Sequence, residues 1–229
     1  MAALAWTCYH NVVANDSDRQ SDPTRFGTDA FYASIGRAFV AMCAFVPVLF
    51  LIEFFDKLSG HRLARDGGIE PHRIEGLDGI VFAPFLHASF EHVLANSIPL
   101  ILLGTFVLAD GGARFWLTTI FIAVVSGVGV WFLGDGLTVG ASGVIFGYLG
   151  VILMRGVVGR SLWHIAVGLL IGLLYGWQII GVLPNDPDVS WQGHLFGFIG
   201  GLVAAILFRR RRPKPVERTE PLALGPDLT

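Results

Sequence analysis

Apolar segments alternate with short polar connections along most of the chain. A helix needs about 20 largely apolar residues to cross the roughly 30 Å hydrocarbon core of a bilayer. The pattern predicts six transmembrane helices, at about residues 38–55, 91–108, 115–133, 142–154, 162–182 and 194–208. The fourth is short, so we expect it to start below the membrane surface or to end early. The predicted fold class is an all-α polytopic membrane protein.

The polar segments divide the chain into three parts. Residues 1–36 are mixed and polar, and they predict a poorly ordered cytoplasmic N-terminal tail. Residues 37–212 hold the six helices, and residues 213–229 form a Pro-rich polar tail that we expect to be disordered and cytoplasmic. Within the membrane domain, residues 57–86 form a long connection, and we expect its apolar patch at 79–86 to lie in the membrane interface.

The composition of the chain supports a membrane protein. Of the 229 residues, 53% are hydrophobic and 15% are charged, whereas soluble domains carry about 25% charged residues. The formal net charge of -2 gives no indication of a nucleic-acid partner. The two cysteines predict no disulfide framework, and we expect no cofactor.

The distribution of charge predicts the topology. An even number of spans puts both termini on one side, and basic residues gather on that side while acidic ones occupy the opposite short loops. The basic residues are Arg114, Arg155, Arg160 and the run 209–212, and the acidic ones are Asp135, Asp186 and Asp188. The positive-inside rule then predicts a multi-pass protein of the cell membrane with both termini in the cytoplasm. The four basic residues of the connection 57–86 point the other way, but long loops weigh less in this rule.

Polar side chains occur at the starts of the second, fourth and sixth predicted helices. These side chains are His87, His92, Asn96, Ser142 and His194. All three helices run from outside to inside in the predicted topology, so the five residues share one depth near the outer face. Three separate segments that place polar groups in one layer of a membrane indicate a single functional site.

The residue types at this depth suit acyl transfer. A serine hydroxyl becomes a good nucleophile when a base removes its proton, and His194 is the candidate base for Ser142. The matching helices carry no acidic residue at this depth to orient the histidine, so we expect a Ser-His dyad. His92 and Asn96 are four residues apart on one helix face, where they can donate to an oxyanion together with the Ser142 amide.

Glycines recur at four-residue spacing on the two helices that carry the candidate dyad. They are Gly143 and Gly147 beside Ser142, and Gly193, Gly197 and Gly201 beside His194. Small residues at this spacing let membrane helices approach at backbone distance. We expect this approach to bring Ser142 and His194 within hydrogen-bonding reach.

Each polar residue also has a structural explanation. Ser142 can bond to a carbonyl of its own helix, and a histidine at the mouth of a span can be an interfacial residue. His87, His92 and His194 offer enough ligands for zinc, although such a site leaves the serine without a role. A transporter would require broken helices in paired repeats, which the sequence does not show.

The motifs, taken together and in this order, resemble those of the rhomboid intramembrane serine proteases of the bacterial six-helix type. The resemblance covers roughly residues 37–212 and rests on His87-x4-His92-x3-Asn96, on Gly140-Ala141-Ser142-Gly143, and on Gly193-His194-x2-Gly197-x3-Gly201. It implies a six-helix rhomboid-like bundle.

The resemblance also implies roles for the individual residues. Ser142 would be the nucleophile and His194 the general base. His92, Asn96 and the Ser142 amide would form the oxyanion hole, and His87 would hold the loop above the site. Rhomboids often carry a tyrosine four residues after the serine, where this chain has Phe146, which keeps the ring and loses the hydroxyl.

The implied activity is that of an endopeptidase that cleaves other proteins in or near their transmembrane segments, without a metal. Its active site would face the extracytoplasmic side, and its partners would be the lipid bilayer and transmembrane protein substrates. The first loop lacks the Trp-Arg pair of many rhomboids. The alternative is a non-catalytic scaffold of the same fold that binds client helices. The oligomeric state stays open.

Overall fold

The computed structural model describes residues 26–159, 162–174 and 190–209. Its regular elements are helical, apart from an isolated bridge between Ile69 and Thr138. The α-helices are α1 (Asp29–Leu58), α2 (Arg62–Gly67), α3 (Gly79–Phe82), α4 (Phe90–Ala109), α5 (Gly112–Leu133), α6 (Ser142–Gly159), α7 (Leu162–Leu174) and α8 (Trp191–Leu207). Two 3₁₀ turns, Ile74–Leu77 and Ala83–Phe85, complete the first loop. The predicted all-helical fold is confirmed.

Three of these helices, α1, α4 and α5, are long and apolar enough to cross a membrane, and α6 and α8 are shorter apolar helices. Large apolar side chains such as Leu51, Trp116 and Ile120 lie exposed on the outer faces of the bundle. Water disfavours such a surface, whereas lipid tails accommodate it. The protein is accordingly an integral membrane protein.

Helix α6 occupies the centre of the bundle and packs against α4, α5, α7 and α8. Its side chains Ile145, Tyr148 and Ile152 are buried together with Val93 of α4 and Ile122 of α5. A helix that is apolar on all sides is stable only when it is surrounded. The start of α6, which is Ser142, is therefore held by neighbours on several sides.

The first helix begins at Asp29, so the predicted start at residue 38 is wrong by nine residues. The side chain of Thr28 accepts a hydrogen bond of 3.1 Å from the amide of Phe31, which caps the helix. Residues 29–36 of the predicted tail are therefore helical. The polar first turns hid this start, because a search for apolar runs does not detect a capped helix beginning.

Other boundaries shift by less, and several predictions lie outside the described residues. Helix α6 continues to Gly159 instead of ending near residue 154, which gives it more of the length that a span requires. The segments 1–25 and 210–229 are not described, nor are residues 175–182 of the predicted fifth span.

The long first loop packs on the segment that leads into α6. The backbones of Ile69 and Thr138 exchange two hydrogen bonds of 2.9 Å, and the Gly140 amide donates to the carbonyl of Ala83 at 2.8 Å. The side chain of Ile80 lies against Gly127 of α5. These contacts hold the residues just before Ser142 in a defined position.

Candidate active site

The start of α4 carries the first group of polar side chains. The Ser89 side chain caps the helix by accepting from the amide of His92 at 3.2 Å. Asn96 follows one turn later, is only 2% exposed, and its Nδ2 has no hydrogen-bond partner among the described residues. A buried amide donor without a partner is energetically costly.

His87 lies in the loop before α4 and is almost completely buried. Its ring centroid is 5.0 Å from that of His92, with the planes at 78°. The pKa of His87 is lowered from 6.5 to about 3, mainly by burial and also by the nearby charge of His92, while the backbone of Phe85 partly opposes the shift. His87 is therefore neutral at physiological pH and supports the His92 ring edge-on.

Gly140 brings the segment before Ser142 against these side chains. It has a φ of +121°, and a Cβ at this position would lie 2.7 Å from Cε1 and 2.9 Å from Nε2 of His92, and 3.8 Å from Nδ2 of Asn96. Only glycine combines this backbone conformation with so close an approach. The structure thus brings His92 and Asn96 against Gly140, two residues before the start of α6 at Ser142.

The glycines of α6 and α8 bring these two helices to backbone distance. A Cβ on Gly197 would lie 2.8 Å from the carbonyl carbon of Gly143, and one on Gly201 would lie 2.6 Å from that of Gly147. A Cβ on Gly143 would lie 3.2 Å from the carbonyl oxygen of Gly193. Gly143 therefore sits beside one turn of α8 that runs from Gly193 to Gly197, and the neighbouring residues Ser142 and His194 lie at the same level.

The His194 side chain lies over the face of α6 that carries Ser142. Its ring stacks on Phe146, with centroids 4.3 Å apart and planes at 19°, and both side chains are buried. Phe146 is four residues after Ser142, which puts both on one face of α6. The stacked ring restricts the imidazole to one plane.

Hydrogen bonds also fix the first turn of α8. The Ser190 side chain accepts from the amide of Gly193 at 3.3 Å, and Gln192 donates to the carbonyl of Leu133 at 2.8 Å. Ser126 of α5 donates to the carbonyl of Gly193 at 2.8 Å. Our reading of the sequence missed Ser126. The only sequence feature at this position is a serine followed by a glycine within an apolar span. It does not predict a contact with another helix, because such serines usually bond to their own helix.

The zinc alternative requires His87, His92 and His194 to converge as ligands. Within residues 26–159, 162–174 and 190–209, no group of three or more histidine, cysteine or acidic side chains is placed to hold a metal ion. His194 instead stacks on Phe146, and His87 meets the ring of His92.

Residues 75–211 match the family model of the rhomboid domain, which is more than half of the chain. The chain belongs to the rhomboid family. The matched range of this rhomboid contains all three polar motifs and the whole bundle from the end of the first loop onward.

This rhomboid has relatives in several bacteria. An uncharacterized protein, Rv1337 of Mycobacterium tuberculosis H37Rv, is 43% identical over 173 residues, which is 71% of this chain and 72% of that protein. The putative rhomboid protease YdcA of Bacillus subtilis is 29% identical over 132 residues, covering 56% of this chain and 66% of YdcA. The rhomboid protease GluP of the same species is 28% identical over 127 residues, covering 52% and 24% of the two chains.

Proposed function

We propose that this rhomboid is an intramembrane serine endopeptidase that hydrolyses peptide bonds in or near transmembrane segments of other membrane proteins. The observation that carries the proposal is the stacking of His194 on Phe146, one helical turn from Ser142. This contact puts the only candidate base of α8 over the helix face of the candidate nucleophile. The names of the YdcA and GluP relatives agree with this class of activity.

The reaction follows from the residues at the mouth of α6. His194 takes the proton of the Ser142 hydroxyl as the oxygen attacks the substrate carbonyl, and a tetrahedral oxyanion forms. His194 then protonates the leaving amine as the C–N bond breaks, and an acyl-enzyme remains. In the second half of the reaction His194 takes a proton from water, which attacks the ester carbonyl, and then returns the proton to the Ser142 oxygen as the C–O bond breaks. The two catalytic groups form a dyad.

Three donors are available for the oxyanion. His92 and Asn96 lie beside Gly140, and the amide of Ser142 is one of the N–H groups that the first turn of a helix leaves unpaired. The Nδ2 of Asn96 has no hydrogen-bond partner among the described residues, so it is available to a substrate. Removal of one such donor typically lowers kcat by about 10²–10³.

The charge distribution supports an active site that faces the extracytoplasmic side, with both termini in the cytoplasm. Asp110 and Arg155 form an ion pair, and Arg114 donates to the Asp110 carbonyl. This places basic groups at the end of the bundle opposite the start of α6. The substrate is a transmembrane protein in the lipid bilayer whose helix unwinds locally, because a peptide bond within an intact helix is shielded from attack.

A fluorophosphonate probe, which forms a covalent bond with an activated serine, tests this proposal. Wild type, Ser142→Ala and His194→Ala would be purified in detergent and compared for labelling, with thermal unfolding as a check of folding. We expect labelling of wild type alone. Equal absence of labelling in all three folded proteins would exclude the protease and support a non-catalytic scaffold. Labelling that survives Ser142→Ala would assign the nucleophile to another residue.

A further inference from the structure

Ser126 lies where three helices meet beside the candidate dyad. It lies on α5, is buried, and its hydroxyl donates to the carbonyl of Gly193, the residue before His194. The same hydroxyl occupies the place where a Cβ of Gly143, the residue after Ser142, would stand. One side chain of α5 thus contacts the immediate neighbours of both candidate catalytic residues.

The direction of this hydrogen bond sets Ser126 apart from Ser97 and Thr105. Each of these two donates to the carbonyl four residues earlier in its own helix, at 2.7 and 2.6 Å respectively. Such bonds are the usual solution for serine and threonine in a membrane helix. Ser126 instead spans 67 positions of sequence to reach α8, so its hydroxyl determines where one helix lies relative to another.

The position of α8 along α6 requires such a directional contact. The glycine faces of α6 and α8 let the two helices approach closely, but small residues offer little side-chain relief to stop one helix from sliding along the other. The hydrogen bond from Ser126 constrains this sliding, in addition to the bond from Gln192 to the Leu133 carbonyl. The bond acts on the carbonyl directly before His194, where a small shift is passed on to the imidazole.

We propose that Ser126 is a positioning residue, whose hydroxyl holds the Gly193 carbonyl so that His194 stays in line with Ser142. This inference rests on the proposed protease function. Ser126 does not touch the reacting atoms. It acts through the backbone of α8.

The test compares Ser126→Ala with a matched control, Ser97→Ala, which removes a buried hydroxyl bonded within its own helix. Each full-length protein would be labelled with a fluorophosphonate probe over a range of probe concentrations. For Ser126→Ala we expect the maximal labelling rate to fall about fivefold, the usual effect of one hydrogen bond. The half-saturating probe concentration and the thermal midpoint should match those of Ser97→Ala, whose rate should equal wild type.

Two results would overturn the role of Ser126. One is a maximal rate in Ser126→Ala equal to that of Ser97→Ala. The other is a rate loss that disappears on cooling, together with a lowered thermal midpoint, since a purely structural residue would behave in this way. In both cases, wild-type labelling that is lost in Ser142→Ala would still support the proposed function. Its absence in wild type would remove the proposed function and the role of Ser126 with it.

A second variant keeps the inference testable if Ser126→Ala does not fold. Gly143→Ala retains the hydroxyl but displaces it, since the new methyl group would occupy its place. If the hydroxyl acts through its bond to Gly193, Gly143→Ala should lower the maximal labelling rate and leave the half-saturating probe concentration unchanged. A maximal rate equal to that of wild type would contradict the inference.

Discussion

Replacement of Gly197 by alanine tests whether the close approach of α6 and α8 maintains the candidate site. The new Cβ would overlap with the carbonyl oxygen of Gly143, and it would lie 2.8 Å from the carbonyl carbon and 3.1 Å from the Cα of that residue. Carbon atoms in comfortable contact are about 3.5–4.0 Å apart. The helices must therefore separate by roughly 0.7 Å or more at this level, because backbone atoms on both sides leave no flexible side chain to move away.

The consequences for stability and activity differ in size. Overpacking of this kind costs about 1–3 kcal/mol. A displacement near 1 Å between a nucleophile and its base lowers the rate by about 10²-fold. We therefore expect Gly197→Ala to remain folded at low temperature, with a lowered thermal midpoint and fluorophosphonate labelling reduced by about two orders of magnitude.

Two glycines provide controls for this experiment. Gly36→Ala lies in α1, where nothing is within 4 Å of a new Cβ, and it should be neutral or stabilising by up to about 1 kcal/mol. Gly201→Ala meets Gly147 in the same manner, one turn farther from the site. It should lower the thermal midpoint to a similar extent but reduce labelling less. Labelling of Gly197→Ala at the wild-type rate, or an equal loss in both variants, would refute the reasoning.

Three further predictions concern the surroundings of the site. Phe146→Ala removes the ring that stacks on His194 and should lower labelling about 10²-fold, whereas Phe146→Tyr keeps the ring and should stay within a few-fold of wild type; equal rates in the two variants would contradict this. Because the pKa of folded His87 is lowered from 6.5 to about 3, the unfolded state binds more protons between these values. Stability should therefore fall as the pH drops from about 6.5 toward 3, with a slope of at most about 1.4 kcal/mol per pH unit, and His87→Gln should flatten that slope in denaturation series at several pH values. Asp110→Asn removes the partly buried partner of Arg155 and should destabilise the protein by about 1–2 kcal/mol in thermal unfolding, while the double variant with Arg155→Gln should lose less than the sum of the single losses.

The apolar segments alone located most of the membrane helices. Burial of a helix in lipid depends on the hydrophobicity of about 20 consecutive residues, which is a local property. The starts of α4 and α5 lie within three residues of the prediction. The start of α1 was missed because its capping by Thr28 and its polar first turn depend on hydrogen bonds instead of hydropathy.

The order of residues also determined which chemical groups are available. Ser142, His194, His92 and Asn96 stand near the starts of helices to which the predicted topology gives the same direction, and this regularity can be read without coordinates. The family match over residues 75–211 agrees with that reading. The catalytic roles themselves remain predictions.

Only the tertiary structure decided which neighbours these groups have. The stacking of His194 on Phe146 and the hydrogen bond from Ser126 to Gly193 join residues 48 and 67 positions apart. Such contacts depend on how whole helices are rotated and shifted relative to one another. The hydrophobic pattern does not specify these contacts, because the lipid-exposed and the buried faces of a membrane helix are equally apolar. Two kinds of contact set the rotation and position of these helices. They are the backbone packing at the glycines of α6 and α8 and the hydrogen bond from the Ser126 hydroxyl to the Gly193 carbonyl.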